Sequence, residues 1–213
     1  MSPFEAAKTG NIPALIRFHD EGMDLRLLRD DNFSWLLEHA IGGNQPDCVQ
    51  WLIEYGCDVN AVTLFDNPLL HKAVHNPLCL AHLVMSGAMI EARNKDDDPT
   101  NIGSTALHVA AMFNNLESMK LLLEAGAQVN ANNGFGTPLH ISVWNENLEA
   151  IQILIAYGAD LSLEYKNEHS FFHDGSGGDS LDLIQHYRIL QEQKELQNSI
   201  PDPVPSLQTR RRM

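Results

Sequence analysis

Thr105-Ala106-Leu107-His108-Val109-Ala110-Ala111-Met112-Phe113-Asn114-Asn115-Leu116-Glu117-Ser118-Met119-Lys120-Leu121-Leu122-Leu123-Glu124-Ala125-Gly126-Ala127 decides the architecture, because its pattern returns 32 residues later. Thr137-Pro138-Leu139-His140 repeats the opening, and Ile153-Leu154-Ile155-Ala156-Tyr157-Gly158-Ala159 repeats the close, in the same register. A period of about this length marks a stacked array whose units are each too small to bury their own apolar face. Such arrays bind macromolecules over an extended surface and seldom carry chemistry, so the chain reads as a binder.

Each part of the unit has a physical role. Thr105 is placed to cap a short helix, and Ala110 and Ala111 let that helix lie close to a neighbour. Leu116, Met119, Leu122 and Leu123 fall at helical spacing and give a second helix one apolar stripe that must be covered. Gly126 then supplies a left-handed C-terminal turn, and Val129-Asn130-Ala131 starts an extended hairpin arm.

Weaker copies precede this one. They end at Gly22, Gly56 and Gly87, with inner helices expected over Phe4 to Thr9, Trp35 to Ile41, and Leu69 to Ala73. The first lacks a preceding arm and reads as an N-terminal cap. Successive glycines are 34, 31, 39 and 32 residues apart. The third unit has lost two residues at His75-Asn76-Pro77, and the arm after it has gained several, including Asp96, Asp97 and Asp98. That acidic run is either a solvated loop or a finger that meets a basic partner.

The combination of Gly103, Thr105, Leu107, His108, Ala110, Ala111, Leu116, Leu121 to Leu123, Gly126, Ala127 and Asn130 resembles the ankyrin repeat. The resemblance implies an all-α solenoid of about five stacked helix-turn-helix units with hairpin arms. The expected units lie near 2–31, 32–66, 67–102, 103–134 and 135–166. A degenerate repeat and C-terminal capping helix follow over 167–197, where Leu181, Ile184, Tyr187 and Leu190 resume helical spacing, and 198–213 is expected to be a disordered tail.

The resemblance also implies where a partner sits: on the hairpin tips and the exposed ends of the inner helices. Those ends are Lys8 and Thr9, Gly42 and Gly43, His75 and Asn76, Met112 and Phe113, and Trp144 and Asn145. Met112, Phe113 and Trp144 put large apolar groups where an unbound array would carry polar ones, and Phe65, Phe135 and Tyr165 extend the row along the arms. Aromatic rows of this kind mark interfaces, unless the long arm around Asp96 to Ile102 folds over them. The candidate binding residues are therefore Phe65, His75, Asp96, Asp97, Asp98, Met112, Phe113, Phe135, Trp144, Asn145 and Tyr165.

Charge narrows the partner. The chain carries 28 acidic residues against 14 Lys and Arg, a formal net charge of −14. Between Asp30 and Asp160 there are 16 acidic residues and four basic ones. Such a surface repels nucleic acid and anionic lipid, whose binding depends on Lys and Arg, and complements a basic protein; acidity for solubility alone is the plainer reading. No apolar run reaches membrane-spanning length and no leader pattern opens the chain, so a cytoplasmic monomer is expected. Cys48, Cys57 and Cys79 stand where other units place small residues and read as reduced packing residues.

Catalytic and metal motifs are weak. His71 and His75 are four apart, as are His169 and His173 beside Asp174, but neither pair carries the glutamate of a zinc-protease helix. His71, His108 and His140 are the repeat's signature histidine, which the resemblance implies is a structural hydrogen-bonder between units. Asp174-Gly175-Ser176-Gly177-Gly178-Asp179 lacks the sixth-position glycine and closing glutamate of a calcium loop, and no phosphate loop is present. The reading is thus a non-catalytic protein-binding module with no cofactor or metal. Alternatives are an immunity or antitoxin-like inhibitor of a basic toxin or nuclease, a secreted effector or adaptor, and, least favoured, a metal-dependent enzyme.

Overall fold

In the computed structural model the described residues are 1–32, 34–95, 103–161 and, further on, 182, 184, 185 and 187–189. Among the described residues, ten helices fall into five antiparallel pairs: α1 (Pro3–Lys8) with α2 (Ile12–Asp20), α3 (Leu36–Gly42) with α4 (Pro46–Tyr55), α5 (Leu69–Ala73) with α6 (Pro77–Met85), α7 (Ala106–Met112) with α8 (Leu116–Glu124), and α9 (Pro138–Trp144) with α10 (Leu148–Ala156). The inner helices α1, α3, α5, α7 and α9 pack in succession, and α4, α6, α8 and α10 form the outer row. Among the described residues, no helix is long and apolar enough to cross a membrane.

The small residues explain the close stacking. Ala6 and Ala7, Ala40 and Ile41, Ala73 and Val74, and Ala110 and Ala111 are all buried on the inner helices. Leu15, Leu52, Leu80, Leu83, Met119, Leu122, Ile151 and Leu154 fill the space between rows. Each such aliphatic side chain contributes roughly 1.5–3 kcal/mol on burial, and the core runs continuously from one unit into the next. Beyond the fifth pair, Ile184 is buried and Tyr187 packs against the same core.

Every outer helix ends in the same way. Gly22, Gly56, Gly87, Gly126 and Gly158 all have positive φ, between 84° and 105°. In each case the residue after the glycine donates its N–H to a carbonyl five residues back, as Ala127 does to Leu122 (2.9 Å) and Ala159 to Leu154 (3.0 Å). Nothing lies within 4 Å of a Cβ built on Gly126, so a side chain there meets only the backbone penalty. Gly126→Val is expected to cost about 1 kcal/mol or more, read as a lower urea midpoint; an unchanged midpoint would contradict the left-handed cap.

The third pair departs from the others. α5 has five residues where α3, α7 and α9 have seven. Other pairs turn through one left-handed residue, namely Gly10, Asn44, Asn114 or Glu146. In the third pair that residue is missing, and Asn76 leads directly into Pro77 at the first position of α6. The inner edge of the array is therefore recessed by two residues at this unit.

The arms are shallow. Only the isolated bridges Arg29 to Trp35 and Val62 to Pro68 form among the described residues. A side-chain clamp joins each arm to the next instead: Asn60 Oδ1 accepts from the Met89 N–H (2.8 Å), Glu91 Oε1 from Gln128 (2.9 Å), and Asn130 Oδ1 from Asp160 (2.9 Å). At the first junction the equivalent position is Arg26, which has no acceptor and turns back onto Asp24.

Candidate protein-binding site

The helix starts fix the frame of the site. In α7 the Thr105 N–H donates to His108 Nδ1 (3.2 Å) and the Thr105 hydroxyl lies 2.8 Å from the same nitrogen. Thr137 and His140 repeat the arrangement at 3.1 and 2.7 Å. With Nδ1 accepting, Nε2 carries the proton: His108 Nε2 donates to Gly136 O (3.2 Å), and His71 Nε2 reaches Ser104 O (2.8 Å). The signature histidine thus joins its own helix cap to the arm that opens the following unit. Burial drives the imidazoles toward neutrality, holding His71 below its ordinary value and His108 and His140 down at about 4.

His71 lacks half of this arrangement. Pro68 stands at the threonine position and offers neither N–H nor hydroxyl, so the buried Nδ1 of His71 has no partner. Pro68→Thr is expected to stabilise the chain by about 1 kcal/mol, the two regained hydrogen bonds outweighing the lost rigidity of proline. Thermal unfolding of the variant checks this; a lower midpoint would show that the proline's fixed φ matters more.

The helix ends carry the apolar row. Met112 is 49%, Phe113 56% and Trp144 46% exposed. His75, exposed at the recessed turn, meets Phe113 edge to face with ring centroids 4.7 Å apart. Asn145 donates from Nδ2 to Met112 O (3.1 Å), and Asn76 Nδ2 donates to Ile41 O (2.7 Å). These amides tie the third turn to the second and the fifth turn to the fourth. His75, Met112, Phe113, Trp144 and Asn145 therefore form one continuous edge over three successive units.

Other expected residues lie elsewhere. Phe65 is 77% exposed at the tip of the second arm, beside Asp66, whose carboxylate pairs with Lys95. Phe135 is only half-buried, its N–H held by Asn133 Oδ1 (3.0 Å). Asp96, Asp97, Asp98 and Tyr165 fall outside the described residues, as do His169, His173 and Asp174. Sequence reasoning missed Leu27 and Leu64, exposed on the first two arms. Leu27 could have been found, since it occupies a position that later arms fill with the buried alanines Ala61 and Ala131.

Of the two histidine pairs that suggested metal chemistry, His71 and His75 have other contacts. His71 is buried against Ser104 O whereas His75 faces Phe113, so the pair does not converge. Among the described residues no group of three His, Cys, Asp or Glu could hold a metal ion. Cys48, Cys57 and Cys79 are buried free thiols, pushed up by desolvation to about 12, 11 and 11, far from a reactive thiolate.

Comparison with known proteins agrees with this geometry. A family model for three copies of ankyrin repeats matches residues 70–165, and a single ankyrin-repeat model matches residues 36–64. The chain is 32% identical over 111 residues to the nuclear factor NF-kappa-B p105 subunit of Rattus norvegicus, covering 51% of this chain and 11% of that protein. It is 33% identical over 99 residues to ankyrin repeat and SOCS box protein 6 of Homo sapiens, covering 45% and 24%. It is 35% identical over 110 residues to protein PhlB of Serratia liquefaciens, covering 51% and 46%. The chain thus spans less than half of each of these relatives. The two family matches together take in more than half of the chain, their helix pairs, caps and signature histidines are those described above, and the protein belongs to the ankyrin-repeat family of protein-interaction modules.

Proposed function

We propose that the protein binds a basic protein partner, without catalysis, through its concave face and hairpin tips, acting as a cytoplasmic monomer until the partner engages. The observation that carries this reading is the exposed row of Met112, Phe113 and Trp144, held in place by His75 and Asn145. Rigid aromatic groups lose little conformational entropy on docking and supply most of the energy of an interface. The excess of acidic residues favours a basic partner, speeding encounter more than it deepens affinity. The row supplies the residence time.

The partner is sought by capture on the intact chain from native lysate at low and moderate salt, with mass spectrometry for identification. Phe113→Ala and Trp144→Ala are each expected to weaken binding of the captured protein by roughly 2 kcal/mol, mostly through faster dissociation. Neutralising Asp96, Asp97 and Asp98 together is expected to slow association and flatten its salt dependence. If the aromatic variants unfold the chain while the remaining folded fraction binds normally, the row is structural and the reading fails.

A further inference from the structure

The missing clamp at the first arm junction has a visible result. Where Asn60, Glu91 and Asn130 each close one arm on the next, Arg26 cannot, because it has only donors. Its guanidinium is occupied by Asp24, through Nε to Oδ1 (2.9 Å) and an Nη to Oδ2 (2.8 Å). Between these two arms lies a cavity of about 330 Å³, lined by Leu25, Leu37, Trp35, Cys57 and Ala61, with Arg26 and Asp58 also at its lining. This volume is at the lower end for ligand pockets, which are apolar with a few fixed polar groups.

The pocket is preformed and continues onto an apolar surface. Trp35 is fixed by its indole N–H on Val62 O (2.7 Å) and by the Arg29 guanidinium 3.6 Å above the ring. Leu27, 75% exposed, lines the opening, and the exposed Val62 and Leu64 stand on the second arm. The two arms bear Asp24, Asp30, Asp31, Asp58 and Asp66 against Arg26 and Arg29. Asp24 is offset by Arg26 and Asp66 by Lys95, and Asp30, Asp31 and Asp58 still outnumber Arg29, so the surroundings of the pocket stay negative.

We propose that this unclamped junction is a second binding site, which takes one bulky apolar side chain carried between basic residues on an extended segment of the protein partner. It deepens the functional reading above and rests on it for the basic character of the partner. The apolar lining holds the side chain and the surrounding carboxylates select its neighbours. The distinction from the inner-edge row is spatial: the pocket belongs to the first two arms, whereas Phe113 and Trp144 stand at the ends of α7 and α9.

The test uses the full chain and a five-residue acetylated peptide with tryptophan between two lysines, followed by amide NMR shifts. The expected result is saturable shifts at residues 25–27 and 56–61, with binding lost when the peptide's tryptophan becomes alanine or its lysines become glutamates. Arg26→Asn is expected to rebuild the clamp to the Asp58 N–H, raise the thermal midpoint and weaken peptide binding by about fivefold or more. Leu27→Ser, at an exposed position, removes apolar lining without adding charge and is expected to weaken it similarly without loss of fold. Phe113→Ala is expected to leave peptide binding unchanged while weakening the captured partner, which separates failure of this site from failure of the inner-edge reading. Shifts mapping elsewhere, equal binding by the glutamate peptide or by free indole, or a second copy of the chain occupying the pocket at NMR concentration would each overturn the proposal.

Discussion

Lowering the pH from 7 toward 5 destabilises the array steeply, because its signature histidines are buried as neutral imidazoles. Desolvation holds His108 and His140 at about 4 in the folded chain, with the carbonyl of Gly136 opposing the shift at His108 and the charge of Asp160 opposing it at His140. In the unfolded chain a histidine titrates near 6.5. The folded value is depressed, so the full stability is present above pH 6.5 and is lost progressively as the pH falls toward 4, while the unfolded chain takes up protons that the folded chain refuses. Each of the two histidines contributes on the order of 3 kcal/mol to that loss at its limit. His71, shifted in the same direction, adds to it. Urea midpoints at pH 7.5, 6.5 and 5.5 check the claim above the range where carboxylates titrate and relieve the repulsion of a −14 chain. A midpoint independent of pH over that window would mean the imidazoles are hydrated or charged in the fold.

Gly43→Ala is expected to destabilise the chain by about 3 kcal/mol, at the upper end for inserting a methyl group into a packed contact. The backbone of Gly43 is ordinary, with φ at −83°, so the cost is steric. A Cβ there would collide with the main-chain carbonyl of Lys8, which cannot move without moving α1. Gly42→Ala is the internal control. Its nearest neighbour would be the Lys72 side chain at 3.7 Å, an ordinary contact, so little change is expected. Equal denaturation midpoints for the two variants would show that α1 yields freely and that its close approach to α3 is not what holds the first pair in place.

Much of this architecture was readable from the chain because the deciding residues act locally. A glycine in the left-handed region, a threonine and a histidine three apart, and paired small residues each impose their geometry through their own backbone or cap, so Gly126, Thr105, His108, Ala110 and Ala111 could be placed without knowledge of their neighbours. Helix limits shifted by a residue, as at α3, which begins after Trp35 and includes Gly42. The site was less legible. Phe113 and Trp144 were identifiable because their positions in the unit are known to face outward, but the contact of His75 with Phe113 depends on where two different units meet. The first-junction pocket was hidden for a further reason: it arises from a hydrogen bond that is missing between arms. Only comparing Arg26 with Asn60, Glu91 and Asn130 as donors and acceptors exposes it.

A uniform solenoid offers its ligand the same footing at every unit, so a bound surface can slip by one repeat and lose little. The two-residue recess at α5 removes that degeneracy. With glycines at the end of α3 on one side and Met112 and Phe113 at the end of α7 on the other, the inner edge steps down and then up at one place only among the five described pairs. A ligand whose surface carries a matching ridge has a single alignment in which both steps are filled, and shifting it by one unit sets the ridge against Phe113 or leaves the hollow empty. Under the proposed inner-edge binding, the shortened helix would work as an index mark, converting a repetitive surface into one with an absolute origin.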